Sequence, residues 1–164
     1  MQQIGLFADV SNLYHWINKR FNGRKLSYLK LLEAVQGDDV VFRAFAYGLQ
    51  LERESSGFIT CIKHYGFDAK FKKPKTYEED GVIRKKRTSW DVGITCDVAR
   101  LVHKLDVVVI ASSNGDLAPL VELVKEKGVK CIVYGCGISK ELKSAADAFV
   151  EIDESLLEER QEAN

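Results

Sequence analysis

Hydrophobic positions along this chain fall into short unbroken runs separated by segments of helical spacing. The strongest run is Val107-Val108-Val109-Ile110-Ala111, which carries no polar side chain. Such a run suits a strand buried on both faces of a parallel sheet. It passes at once into the small, polar and acidic Ser112-Ser113-Asn114-Gly115-Asp116, and then into an amphipathic segment from Leu117. A parallel strand releases its chain at the carboxyl edge of the sheet, where α/β proteins place ligands. The turn over 112–116 is therefore the first candidate for a working site.

The remaining pattern extends this picture. Residues 3–8 predict a first strand, followed by Asp9 and a helix from Leu13 that Ser11 or Asn12 could cap. Ser27 predicts the cap of a helix over 28–35, with Leu29, Leu32 and Val35 on one face. A second strand is expected over 39–48, a helix over 55–66, and a half-buried or edge strand over 67–73, where apolar and charged residues alternate. Helices are expected over 91–104, 117–127 and 139–146. Strands are expected over 105–111 and 129–134, with a short sixth at 149–152. Residues 74–89 show no core pattern and form the one long stretch that reads as a functional loop.

Strands alternate with helices throughout, the signature of an α/β fold with a mostly parallel sheet. We expect a three-layer α/β/α domain over residues 1–152, with five or six strands in the order 3-2-1-4-5. Residues 153–164 are expected to form an acidic C-terminal helix or frayed tail.

Composition changes this picture little. The chain has 164 residues, 46% hydrophobic, with 24 basic and 24 acidic side chains, so no global field points to a partner. Local asymmetry is large: eight Lys or Arg against three acids between Lys70 and Arg87, and six acids against Arg160 between Glu151 and Glu162. The four cysteines show neither Cys-x-x-Cys nor zinc spacing, which suits reduced thiols of a cytoplasmic protein. No stretch reads as a leader or a membrane span, so no membrane partner is expected. His15, His64 and His103 share no spacing pattern and receive no chemistry.

The acids that matter sit at element junctions. Asp9 follows the first strand, Asp91 opens the helix after the basic loop, and Asp116 follows the fourth strand. In the expected order the first and fourth strands are neighbours, so Asp9 and Asp116 would meet, with Asp91 at the same edge. Each acid alone could be no more than a helix cap or a dipole partner. Two carboxylates at 4 Å repel by roughly 4 kcal/mol at an effective dielectric near 20. Converging carboxylates therefore share protons or hold a hard cation, and an all-oxygen set favours Mg²⁺ or Mn²⁺. Asp97 lies about 240° around a helix from Asp91, so the two face one point only if Asp91 lies off the helix proper.

Four motifs also carry a family resemblance. Asp9-Val10-Ser11-Asn12, Trp90-Asp91-Val92-Gly93-Ile94-Thr95-Cys96-Asp97, the segment from Ser112 to Val121, and Ser139-Lys140-Glu141-Leu142 with Ala146-Asp147-Ala148-Phe149 resemble, in order, the motifs of the NYN domain family. These are PIN-like nuclease relatives of the LabA type. The resemblance implies a PIN-like, Rossmann-like fold and metal-dependent cleavage of RNA. It implies Asp9, Asp91 and Asp116 as metal-coordinating acids, Asn12 as the residue orienting Asp9 or a water, and Asp97, Asn114 and Ser112 as auxiliaries. The chain departs from the family at Asn114, where an Asp is usual, and at Ser113, where a Gly is usual.

Beside Asp91, the cations Lys72, Lys73, Lys75, Arg84, Lys85, Lys86 and Arg87 would neutralise and steer phosphates. Tyr77 and Trp90 could stack on bases, although Trp90 suits a core position better. The leading expectation is a metal-dependent ribonuclease acting on single-stranded or structured RNA. The alternative is an RNA-binding or regulatory module weakened in catalysis by Asn114, working as a homodimer or with a protein partner. A small-nucleotide domain is disfavoured because no Gly-x-Gly-x-x-Gly or P-loop is present.

Overall fold

The central strand pattern predicts a sheet buried on both sides, and the computed structural model has one. It describes residues 1–50 and 54–162. Its main elements are β1 (Gln3–Asp9), α1 (Val10–Arg20), α2 (Tyr28–Gln36), β2 (Val40–Leu49), α3 (Glu54–His64), β3 (Asp68–Lys72), β4 (Thr76–Glu79), β5 (Val82–Lys85), α4 (Asp91–Leu101), β6 (Val107–Ala111), α5 (Ala118–Glu126), β7 (Lys130–Gly135), α6 (Lys140–Ala145) and β8 (Ala148–Glu151). Six strands form one parallel sheet in the order β3-β2-β1-β6-β7-β8. That is the predicted order, with the sixth strand added at the far edge.

Alternation along β1 divides the core. Ile4, Leu6 and Ala8 pack with α1, α2 and α3 on one side. Phe7 packs with Phe45, Tyr47 and helices α4, α5 and α6 on the other. Val107 to Ala111 are all buried, as a central parallel strand requires. A Cβ on Gly5 would lie 2.5 Å from Leu105 Cδ1 and 2.9 Å from the Phe7 ring, so any larger residue there would force these two buried side chains to shift. Among the described residues, no helix is long and apolar enough to cross a membrane.

Three local expectations are corrected. Helix α1 is capped by Asp9, not by Ser11 or Asn12: the Asp9 Oδ1 accepts the Asn12 N–H at 3.2 Å. The long basic segment contains an antiparallel hairpin, β4 with β5, separate from the main sheet. Asp80 and Gly81 both take positive φ, 52° and 73°, the geometry of a tight two-residue hairpin turn. Every residue of β4 and β5 is exposed, so no buried alternation marked them in the sequence.

Among the described residues, those from 154 to 162 form no α-helix. They make one 3-10 turn over Glu154–Leu156. Leu157 then bridges antiparallel to Leu26 and is 1% exposed. The Ser27 N–H donates to the Leu156 carbonyl at 2.9 Å, and the Glu158 N–H donates to the Lys25 carbonyl at 2.8 Å. The acidic composition of this segment masked one buried leucine that ties it to the domain.

Leu157→Ala is expected to lower unfolding stability in urea by about 2–5 kcal/mol, the usual cost of a buried leucine truncation. Glu162→Ala, at an exposed position, should change it by under about 0.5 kcal/mol. Equal effects would show that the segment is not part of the core.

Candidate functional site

The sheet order reverses at β1, which lies between β2 and β6, and the site forms at the carboxyl edge there. β1 pairs with β6 from Ile4 opposite Val107 to Ala8 opposite Ala111, so Asp9 and Ser112 leave the sheet side by side. Asp9 is 7% exposed. Burial pushes its carboxyl up from the ordinary 3.8 to about 6, against the backbone N–H donors of Asn12 and Ser11, which favour the charged form. The negative charge of Asp91 raises it further. The cap of α1 and the buried acid of the cleft are thus one residue.

The turn after β6 is held by amides and hydroxyls. Asn12 Oδ1 accepts the Ser113 N–H at 2.9 Å and the Ser113 hydroxyl at 3.0 Å, pinning the turn to the start of α1. Ser112 is fully buried and its Oγ accepts the Asn114 N–H at 3.2 Å. Asn114 faces two neighbours at once. Its Oδ1 accepts the Asp116 N–H at 3.1 Å, and its Nδ2 donates to Asp91 Oδ2 at 3.0 Å. A carboxylate cannot donate, and a backbone N–H cannot accept, so these partners fix the orientation of the amide.

Asp91 is near enough for its charge to be felt at Asp9, and the Asn114 amide is bonded to Asp91. Asp116 is exposed, in the 3-10 turn over Gly115–Leu117 that Asn114 caps. Among the described residues, no three His, Cys, Asp or Glu side chains stand close enough to hold a metal ion. The expected cluster of three carboxylates is thus absent among the described residues, and it is the Asn114 amide that reaches Asp91. Cap geometry is the reason: with its N–H bonded to the Asn114 side chain, Asp116 is drawn into the first turn and out toward solvent. The Asn114 amide turns its N–H, not its oxygen, toward Asp91, so a cation here would rest on Asp9 and Asp91 alone, within the habit of Mg²⁺ or Mn²⁺ of keeping several waters and using one or two carboxylates plus substrate phosphates.

Asp97 has a different setting. It is 6% exposed and accepts from Lys70 Nζ at 2.6 Å, Tyr47 Oη at 2.8 Å and an Arg100 guanidinium nitrogen at 3.1 Å. Burial alone would raise its carboxyl, but Lys70, Tyr47 and Arg100 together hold it below the usual carboxylate range. Its lone pairs are occupied by Tyr47 of β2, Lys70 of β3 and Arg100 of α4 itself. Asp147, at the other end of the sheet, accepts the Cys131 N–H at 2.8 Å and closes the start of β7.

Of the predicted cations, Lys73, Lys75, Arg84, Lys85, Lys86 and Arg87 are exposed on or beside the hairpin. Arg84 lies opposite Tyr77 in the hairpin register and 3.5 Å from Glu79. Lys72 is different: its ammonium lies 4.1 Å over the Trp90 ring and donates to the Ser89 carbonyl at 2.8 Å. Sequence reading gave no role to Ser113 and none to the Lys70–Asp97 contact. Both depend on partners 101 and 27 residues away, for which no local pattern exists.

Comparison with known proteins follows the same lines. The profile of the NYN domain family matches residues 3–153. The chain is 24% identical over 161 residues to the Low amplitude and bright protein LabA of Synechococcus elongatus (strain ATCC 33912 / PCC 7942 / FACHB-805), covering 93% of this chain and 84% of that protein. A crystal structure of a protein of unknown function, VPA0982 of Vibrio parahaemolyticus RIMD 2210633, superposes with a TM-score of 0.84 at 28% identity. That match covers 95% of this chain and 96% of the other.

The buried Asp9 gives a stability test. Folding raises its pKa, so its contribution favours the folded state below about pH 3.8 and is lost as pH rises through about 6. The difference amounts to about 3 kcal/mol. Asp9→Asn should therefore be more stable than wild type in urea at pH 8 by up to about 3 kcal/mol, with the gain vanishing near pH 4. A gain that does not vary with pH would contradict a buried, charged Asp9.

Proposed function

We propose, from the premise that this chain belongs to the NYN domain family, that it is a metal-dependent ribonuclease of the cytoplasm. Its cleft would lie at the carboxyl edge between β1 and β6. The observation that supports this most is the burial of Asp9, within the electrostatic reach of Asp91, at the point where the sheet order reverses. Two repelling carboxylates at that edge are stabilised by a hard cation. Asp9 and Asp91 would hold Mg²⁺ or Mn²⁺, and Asp116 is assigned the outer acid at the mouth. The cation, when bound, supplies Lewis-acid polarisation of a phosphoryl oxygen and a more acidic water.

The chain's own groups supply the rest. Asn12 and Ser113 hold the 112–116 turn against α1, so the cleft wall is fixed before substrate arrives. The exposed cations from Lys73 to Arg87 draw phosphates toward the acids and offset their charge. Tyr77, 47% exposed with Arg84 across the hairpin, offers a stacking surface for an unpaired base.

One observation favours a second reading, a module that grips RNA without cutting. The Asn114 Nδ2–H bond to Asp91 satisfies with a neutral donor the carboxylate that would otherwise call for a cation. An Asp at that position would place a third negative charge against Asp91 and raise cation affinity.

Cleavage of short synthetic RNA with Mn²⁺ is expected to fall at least about 100-fold in Asp9→Asn, since removing a catalytic group commonly costs that much. A marked loss is also expected in Asp116→Asn. Equal activity in wild type and both variants would sink the nuclease reading. Asn114→Asp separates the two readings: a gain from near zero marks the natural chain as a non-cutter, and a modest change marks it as an enzyme.

Replacing Lys85, Lys86 and Arg87 together by Ala should weaken RNA binding. It should also reduce the slope of log K against log salt by about 2, from the loss of three phosphate contacts. An unchanged slope would remove these residues from the binding surface.

A further inference from the structure

Helix α4 delivers Asp91 to the cleft, yet nothing in its own first turn fixes where it begins. Its N-cap position is Trp90, which makes no side-chain capping bond. The first helical hydrogen bond, Ile94 N–H to the Trp90 carbonyl, is 2.8 Å long. Such a start can fray or slide unless something outside the helix holds it.

The indole of Trp90 is held on several sides. Its Nε1–H donates to the Gly48 carbonyl near the end of β2 at 2.8 Å. The Tyr47 ring lies 5.4 Å away, centroid to centroid. The other contact is with Gly93: a Cβ there would lie 2.7 Å from Trp90 Cε3, so the ring presses on the helix backbone itself. The Lys72 ammonium covers the ring at 4.1 Å and reaches past it to the Ser89 carbonyl at 2.8 Å. Ser89 Oγ in turn accepts the Asp91 N–H at 3.0 Å. The corner Ser89-Trp90-Asp91 is thereby tied to both β2 and β3. β2 is also the strand whose Tyr47 stands opposite Asp9 in the register of β1.

We infer that Trp90, locked by Lys72, is a positioning residue that sets the Asp91 carboxylate against Asp9. The inference rests on the reading of Asp9 and Asp91 as the cation-holding pair. It assigns Lys72 to the architecture of the cleft and not to the phosphate-binding surface. It likewise removes Trp90 from the candidate base platforms, since its N–H and one face are occupied. A cation pair of this kind tolerates little drift, because a displacement of about 1 Å at a reacting centre can cost 100-fold in rate.

The test uses the full chain with Mn²⁺ as the probe. Calorimetric Mn²⁺ affinity is compared in wild type, Trp90→Phe, Trp90→Ala, Lys72→Met and Lys72→Arg. Asp9→Asn reports on the pair, and Val124→Ala, in the core under α5, controls for general loss of stability. Trp90→Ala and Lys72→Met should weaken Mn²⁺ binding by roughly 10-fold, the scale of lost ligand support. Lys72→Arg should restore it to near wild type, and Val124→Ala should leave it unchanged. Full Mn²⁺ affinity in both Trp90→Ala and Lys72→Met overturns the inference.

If the wild type takes up no Mn²⁺, the cation reading of the pair fails, and crystal structures of Lys72→Met and Trp90→Phe decide the positioning role alone. A shift of the Asp91 carboxylate relative to Asp9 of about 1 Å or more supports it. An unmoved Asp91 in both overturns it. Trp90→Phe and Lys72→Met keep the test decisive should Trp90→Ala fail to fold.

Discussion

The pairing of β1 with β6 is the contact on which the rest of this molecule depends. It runs parallel from Ile4 opposite Val107 to Ala8 opposite Ala111, with nearly every side chain buried. Because β2 lies on the other side of β1, successive crossovers leave the sheet on opposite sides of this pair. A crevice at the carboxyl edge is the geometric consequence. Asp9 and Ser112 occupy that crevice because they are the residues that immediately follow the paired stretch. A slip of one position would exchange the two faces of β1 and turn Asp9 away from Asp91.

The same pairing explains why the site is strained. The strand that fixes Asp9 also buries it, and Asp91 adds like charge, so its carboxyl rises to about 6. Asp97 offers the contrast within one helix. It is equally buried, but Lys70, Tyr47 and Arg100 supply three donors, and its carboxyl lies low. Burial alone therefore does not mark a working acid in this chain.

Asn114 links the turn after β6 to the start of α4. Its amide joins the Asp116 backbone on one side to the Asp91 carboxylate on the other. One bond shapes the 3-10 turn and draws Asp116 toward solvent, and the other quiets the carboxylate pair. A single nitrogen in place of an oxygen leaves the turn-shaping bond possible but decides the bond to Asp91 and the charge beside it.

The alternation of apolar runs with helical spacing fixed the α/β class, the strand order and the edge where ligands belong, since burial on two faces leaves a direct mark on composition. Val107 to Ala111 and the acids after the first and fourth strands were legible for that reason. The bridging of Leu157 to Leu26 was not, because one buried residue in an acidic segment makes no period. Nor was the hairpin, whose residues are all exposed and obey no core pattern. Local sequence placed Asp9, Asp91 and Asp116 at one edge, but the tertiary structure separated them into a pair and an outlier. That division is made by a local bond from Asn114 to the Asp116 backbone together with bonds from Asn114, Ser113 and Trp90 to distant partners, and contacts of the second kind leave no periodic signal in the chain.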